Sequence, residues 1–136
     1  MHKVYLSLGA NIGNRKRMMH DAIVLLEERV GTVLRSSSLL ETEPWGFSSP
    51  NKFINMCVCI DTPLSPRQLL RVTQQIERDL GRMEKTDGDN YTDRIIDIDI
   101  LLYDQLHVDE SDLKIPHPLM EQREFVMIPL REILED

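Results

Sequence analysis

RIIDIDILL, residues 94–102, sets two aspartates into a run of isoleucine and leucine. The β-branched content reads as a strand, and a strand has a side-chain period of two. Ile96, Ile98, Ile100 and Leu102 then share one face and Asp97 and Asp99 the other. Residues two apart on a strand have Cα atoms roughly 6.6 Å apart. Bare carboxylates among core residues are costly, because a desolvated anion loses several kcal/mol or shifts its pKa. A divalent cation relieves that cost, and a few hard oxygen ligands with room for water and phosphate oxygens suit Mg²⁺. A second reading stays open at this point: edge strands also carry inward charges that block aggregation.

Working outward, Lys3–Leu8 (KVYLSL) is a short apolar strand, and Gly9–Asn14 is a turn into a helix. That turn matches neither a Walker A loop nor GxGxxG, and reads as a tight strand-to-helix connection. Met19, Ala22, Ile23, Leu26 and Val30 repeat at helical spacing over Arg15–Val30, and Gly31 ends the helix as a residue free to take positive φ. Thr32–Leu40 reads as one strand with exposed serines. Glu41–Asn51 holds Pro44, Gly46 and Pro50 and reads as a loop, which carries the only tryptophan, Trp45. Phe53–Asp61 (FINMCVCID) is apolar enough to be buried on both faces. Ser65-Pro66 opens a second helix with Leu69, Thr73, Ile76 and Leu80 inward, stopped by Gly81. Residues 82–93 are polar, 103–114 form a polar hairpin or loop pair, and Ile115-Pro-His-Pro118 is rigid and extended. Leu119–Ile128 is helical, limited by Pro129. The order β-α-β-β-α-β predicts an α+β, ferredoxin-like sandwich: an antiparallel sheet, flanking helices and a C-terminal extension.

A chain of 136 residues with 41% hydrophobic and 29% charged residues is a globular domain, so residues 1–136 are expected to form one domain. A net charge of −7 argues against a general nucleic-acid or anionic-membrane surface. Neither a signal peptide nor a membrane span is legible, which points to the cytoplasm. Cys57 and Cys59, two apart on one strand face, are poorly placed for a disulfide and read as small buried residues.

Asn55 is the anomaly of the buried strand, sharing a face with Phe53, Cys57 and Cys59. A buried amide needs partners for donors and acceptor alike. It is either a core asparagine bonded to a neighbouring loop or a reader of a planar heterocycle. Around the aspartate strand stand Arg82, Lys85 and Arg94, then His117 and Arg123, with Gln74 and Glu77 one helical turn apart. Cations bracketing two carboxylates in an acidic chain fit a metal–polyphosphate site. Taken singly, such arginines also form surface ion pairs of little energy, and a histidine between prolines also packs a turn.

Together these stretches resemble the 6-hydroxymethyl-7,8-dihydropterin pyrophosphokinase family of folate biosynthesis. The carriers are SLGANIGN (7–14), TEPWG (42–46), FIN (53–55), QQIERDLGR (74–82), RIIDIDILL (94–102), IPHP (115–118) and REF (123–125). The resemblance implies transfer of pyrophosphate from ATP to the pterin hydroxymethyl group, with AMP released. It implies two Mg²⁺ ions held by Asp97 and Asp99, and Arg82 and Arg94 as catalytic clamps on the phosphates. It places Gln74, Glu77, Arg82, Lys85, Arg94, Ile100, His117 and Arg123 along ATP. It places Thr42, Pro44, Trp45, Phe53, Asn55 and Phe125 around the pterin, with the two phenylalanines stacking on the ring, and so tilts Asn55 toward recognition. Partners are then ATP and a pterin, with no nucleic acid and no membrane, in a monomer or weak dimer.

The sequence departs from familiar members of that family in three places. The 82–94 segment is acidic, with Glu84, Asp87, Asp89 and Asp93, where relatives are often more basic, and it holds no tryptophan, which leaves the covering role to Tyr91. Asp112 and Lys114 replace a common arginine and threonine, and the chain ends soon after Leu134. Two other classes compete: a nucleotidyltransferase, which also uses paired aspartates and releases pyrophosphate, and a ferredoxin-like ligand sensor, which turns nothing over.

Overall fold

The structure, a computed structural model, describes residues 1–42, 52–83 and 96–134, and of residues 82 and 83 the backbone alone. The elements in chain order are β1 (His2–Ala10), α1 (Arg15–Arg29), β2 (Thr32–Ser36), β3 (Leu40–Thr42), β4 (Phe53–Thr62), α2 (Pro66–Met83), β5 (Asp97–Tyr103), the hairpin β6 (Val108–Glu110) and β7 (Leu113–Ile115), a 3-10 turn (Met120–Gln122) and α3 (Glu124–Ile133). The main sheet runs β2-β4-β1-β5, with β3 also paired to β4, and every pairing is antiparallel. This is the ferredoxin-like α+β arrangement expected from the order of elements.

Alternation along the two central strands divides the core in two. Val4, Leu6, Leu8 and Ala10 of β1 and Ile54, Met56, Val58 and Ile60 of β4 pack with α1 and α2 on one face. Tyr5, Cys57 and Cys59 face the other way and pack with Val126, Leu130 and Ile133 of α3. The helices therefore cover both faces, and α3 covers only part of the second. Next to that part lies the site.

Several boundaries differ from the sequence reading, each for a physical reason. β1 runs through Ala10, because Gly9 and Ala10 pair with Asn55 and Ile54; Gly9 belongs to the strand, not the turn. The expected strand 32–40 is two strands, β2 and β3, separated at 37–39, where Ser37 is buried and donates its backbone N–H to the Cys57 carbonyl at 2.9 Å. Glu41 and Thr42 belong to β3 rather than to the loop. Gly31 has no positive φ: a Cβ there would stand 2.0 Å from the Asp61 carbonyl oxygen, so close approach to β4 is what excludes a side chain. α2 passes through Gly81 to Met83. Its start is a capping box: Gln68 donates its N–H to Ser65 Oγ at 3.2 Å, and Ser65 N–H to Gln68 Oε1 at 2.9 Å. Pro129 sits inside α3 instead of limiting it, where burial of Val126, Pro129, Leu130 and Ile133 outweighs the missing amide.

β5 itself is bulged. Tyr5 pairs with Leu102 but Leu6 with Ile100, so Leu101 is the extra residue. Ile96, Ile98 and Ile100 keep the helical face, as alternation requires, and Tyr103 rejoins them. Leu101 and Leu102 both pack on the second face, so Leu102 does not share a face with the isoleucines. No helix among the described residues is long and apolar enough to cross a membrane.

Candidate active site

The sheet register assembles the site. Gly9 of β1 pairs with Asn55 on one side and Asp97 on the other; one step along, Ser7 pairs with Cys57 and Asp99. Paired residues share a face, so Asn55, Gly9 and Asp97 form a row across three strands on the second face. Two strand spacings put the ends of that row roughly 10 Å apart. A Cβ on Gly9 would meet Asn55 Oδ1 at 3.0 Å and Phe53 Cδ1 at 3.6 Å. Gly9 thus keeps a shallow floor open between an amide and a carboxylate. The sequence reading missed it; its signal was a glycine lying one residue inside an otherwise apolar run.

At the amide end, Asn55 Nδ2 donates to Thr42 Oγ1 at 2.8 Å, across the β3–β4 ladder. Asn55 is 3% exposed, so its orientation is fixed by this bond and by packing. Phe53, two residues back on the same face, is half-buried. Arg15 at the start of α1 reaches the outer ends of both strands, donating to the Lys52 carbonyl at 2.7 Å and pairing with Glu41 at 3.0 Å.

At the carboxylate end, Asp97 and Asp99 are half-buried. Arg123 stands 3.9 Å from Asp99 and lies with its guanidinium carbon 5.8 Å from the centre of the Phe125 ring. Phe125 in the first turn of α3 is thereby tied to the aspartate strand. Glu77 approaches from α2, its Oε2 accepting the Ile98 N–H at 2.7 Å. Burial pushes the Glu77 acid up to about 7; the bond from Ile98 opposes this, and the charges of Asp97 and Asp99 add to it. Burial and the charges of Asp97 and Asp99 disfavour ionisation of Glu77, which marks an anionic field of the kind that a hard cation relieves. The donor set, oxygens alone on an accessible face, fits Mg²⁺. Gln74 is exposed, one turn before Glu77.

His117 closes the same edge. Its backbone N–H donates to the Leu101 carbonyl at 3.0 Å, and its Nδ1 accepts from Leu119 N–H at 3.3 Å. Burial, then the charge of Arg123, lowers the pKa of the ring against the pull of Asp97. With Nδ1 accepting, the neutral ring offers Nε2–H as a donor. Beside it a cleft of about 290 Å³ opens along the edge of β5. Leu70, Ile98, Ile100, Leu113 and Pro118 give it apolar walls, and Asp99, Ser111, Asp112, Lys114 and His117 a polar margin. Two of those charged groups are paired away from it: Asp112 with Arg67 at 2.8 Å, which lowers its acid, and Lys114 with Asp109 at 2.6 Å. Arg67 also pairs with Glu110.

Of the residues singled out in the sequence, the fold therefore groups Thr42, Phe53, Asn55, Glu77, Asp97, Asp99, Ile100, His117, Arg123 and Phe125 around one face and edge of the sheet. Pro44, Trp45, Lys85 and Arg94 lie outside the described residues, as does the side chain of Arg82, whose backbone is in the last turn of α2. The acidic residues of the 82–94 segment also lie outside them. Leu70, Ser111 and Leu113 were not singled out, because single apolar or hydroxyl residues on a helix or hairpin carry no sequence mark of a cleft.

The chain is similar to known proteins over nearly its whole length. Residues 5–135 match the family described as 7,8-dihydro-6-hydroxymethylpterin-pyrophosphokinase (HPPK). A 2-amino-4-hydroxy-6-hydroxymethyldihydropteridine pyrophosphokinase of Porphyromonas gingivalis is 48% identical over 96% of this chain and 89% of its own length. The enzyme of that name from Bacillus subtilis is 41% identical over 96% of this chain and 77% of its own. Among solved structures, wild-type Plasmodium falciparum HPPK-DHPS superposes with a TM-score of 0.74 over 98% of this chain, at 17% identity, which speaks to the fold alone. This chain spans 40% of that larger one. The chain belongs to the 7,8-dihydro-6-hydroxymethylpterin-pyrophosphokinase family and is a diphosphotransferase.

Proposed function

We propose that the chain, as a single domain in the cytoplasm and as a monomer or weak dimer, transfers pyrophosphate from ATP to the hydroxymethyl group of 6-hydroxymethyl-7,8-dihydropterin and releases AMP. The observation that carries the reading is the row Asn55–Gly9–Asp97. An amide and a carboxylate on one floor, roughly 10 Å apart, support a heterocycle reader at one end and a phosphate–metal anchor at the other, a small bicyclic molecule apart.

Asn55, oriented by Thr42, reads the amide edge of the pterin, and Phe53 and Phe125 stack on its ring. Pro44 and Trp45 complete that end. ATP lies along the edge of β5, its nucleoside in the cleft beside Ile100 and its phosphates toward Arg123 and the neutral Nε2–H of His117. Gln74, Glu77 and Lys85 line the same side. Asp97 and Asp99 would hold two Mg²⁺ ions, which when bound would supply charge neutralisation on the phosphates and a more electrophilic β-phosphorus. The pterin hydroxyl oxygen attacks that phosphorus in line, and its proton is released to solvent. The bond to the oxygen bridging the α and β phosphates breaks, and AMP departs with that oxygen. Arg82 and Arg94 clamp the charge that shifts during transfer and exclude water.

The test is incubation with ATP, Mg²⁺ and 6-hydroxymethyl-7,8-dihydropterin, with the nucleotides resolved. AMP in step with a pterin diphosphate is expected. ADP would indicate an ordinary kinase, free pyrophosphate a nucleotidyltransferase, and unchanged ATP a sensor; each overturns the reading.

A further inference from the structure

β5 is the last strand of the sheet, and its outer edge presents backbone groups that no neighbouring strand among the described residues receives. Two contacts close that edge where it matters. Ile98, the residue between the two aspartates, donates its N–H to Glu77 Oε2 at 2.7 Å, and the Leu101 carbonyl accepts from His117 N–H at 3.0 Å. On the inner side Asp97 and Asp99 pair with Gly9 and Ser7. The peptide between the aspartates is therefore gripped from both sides, by β1 within the sheet and by a carboxylate of α2 outside it.

We propose that Glu77 is a positioning residue: its carboxylate takes the place of a missing neighbouring strand at Ile98 and so fixes the spacing and direction of the Asp97 and Asp99 side chains. Without it, residues 97–99 form an edge segment tied on one side only. A strand tied on one side twists and frays, and a pair of metal ligands carried on it loses its common aim. Glu77 can do this because Leu69, Thr73, Ile76 and Leu80 bury the rest of its helix against the sheet, which leaves its side chain at the sheet's margin and level with Ile98. This assigns Oε2 of the carboxylate to the strand. The role in metal binding rests on the reading given under Proposed function; the grip on Ile98 does not.

Glu77→Ala removes the acceptor, whereas Glu77→Gln keeps an acceptor oxygen without the charge. Amide exchange at Ile98, followed by NMR without substrate or metal, reads the grip directly. Exchange is expected to quicken about tenfold or more in Glu77→Ala and to return most of the way in Glu77→Gln. In pyrophosphate transfer, Glu77→Ala is expected to raise the Mg²⁺ concentration required by about 10–100-fold while the KM for pterin holds, with Glu77→Gln recovering most of the loss. Unchanged exchange at Ile98 in Glu77→Ala would overturn the proposal. So would a Glu77→Gln variant as impaired toward Mg²⁺ as Glu77→Ala, since the charge itself would then be acting. A wild-type chain that forms no AMP would defeat the pyrophosphokinase reading and leave the exchange result standing.

Discussion

Gly9 shows how much one missing side chain decides. It lies in a strand, so its value is the space above it: a methyl group would stand 3.0 Å from Asn55 Oδ1. Gly9→Ala is expected to raise the KM for pterin about tenfold, because a small displacement of the reading amide spoils its alignment. ATP affinity should hold; steady-state kinetics against each substrate in turn would show a like loss for both if the floor served ATP instead. Cys57 makes the opposite point, being chemically quiet. It is fully buried, its Sγ lies 3.6 Å from the Val126 carbonyl, and burial pushes its thiol up to about 12. Native protein at pH 8 is expected to leave Cys57 unmodified by iodoacetamide, with full reaction only after unfolding; rapid alkylation of the native chain would contradict this packing. Asp97, Asp99 and Asn55 were legible in the sequence because a polar residue inside an apolar strand demands a reason. Gly9 was not, since a glycine next to a turn reads as punctuation and only the cross-strand register shows what it separates.

Among the elements, the strands and helices followed from periodicity, and the departures came from tertiary pairing. The bulge at Leu101 turns two successive leucines onto one face, which no alternating pattern announces. α2 runs past Gly81 and α3 through Pro129 for the same reason: a helix packed on a sheet tolerates a residue that an isolated helix would not. The connection after β7 is held to β5 by His117, and this has a consequence for pH. The folded-state pKa of His117 lies below 6.5, so in the window beneath that value the unfolded chain binds more protons than the folded one. The contribution of His117 to stability therefore rises with pH through that window and is lost as pH falls. Glu77 works the other way between 4.5 and about 7, where the folded chain holds the extra proton and its contribution falls as pH rises. The difference between wild type and His117→Asn isolates the histidine: denaturant titrations are expected to show the two chains converging as pH drops below 6.5. A gap that widens toward acid would mean that the ring is charged in the fold.

At the scale of the whole molecule, a sheet covered on one face by α1 and α2 and only partly on the other by α3 leaves one floor open among the described residues, and every grouped site residue lies on it or along its β5 edge. The order of elements was enough to expect this architecture; that α3 crosses to the second face was not, because an amphipathic helix after a hairpin fits either side. Two segments of the expected site, 43–51 and 84–95, lie outside the described residues, and Arg94 is in the second. If Arg94 acts on the phosphates mainly during transfer, Arg94→Ala should lower kcat far more than it weakens ATP binding. Equal losses, measured by turnover and by calorimetric titration with a non-hydrolysable ATP analogue, would argue for a simple binding role.

The most direct measurement of the whole account is a crystal structure of the chain with Mg²⁺, a non-hydrolysable ATP analogue and 6-hydroxymethyl-7,8-dihydropterin. The predicted result is a pterin edge bonded to Asn55, its hydroxymethyl group over Gly9 pointing at the β-phosphorus, and carboxylate oxygens of Asp97 and Asp99 about 2.0–2.1 Å from metal. Asp97 and Asp99 turned from the phosphates, or a pterin bound away from the Asn55–Gly9–Asp97 row, would contradict it.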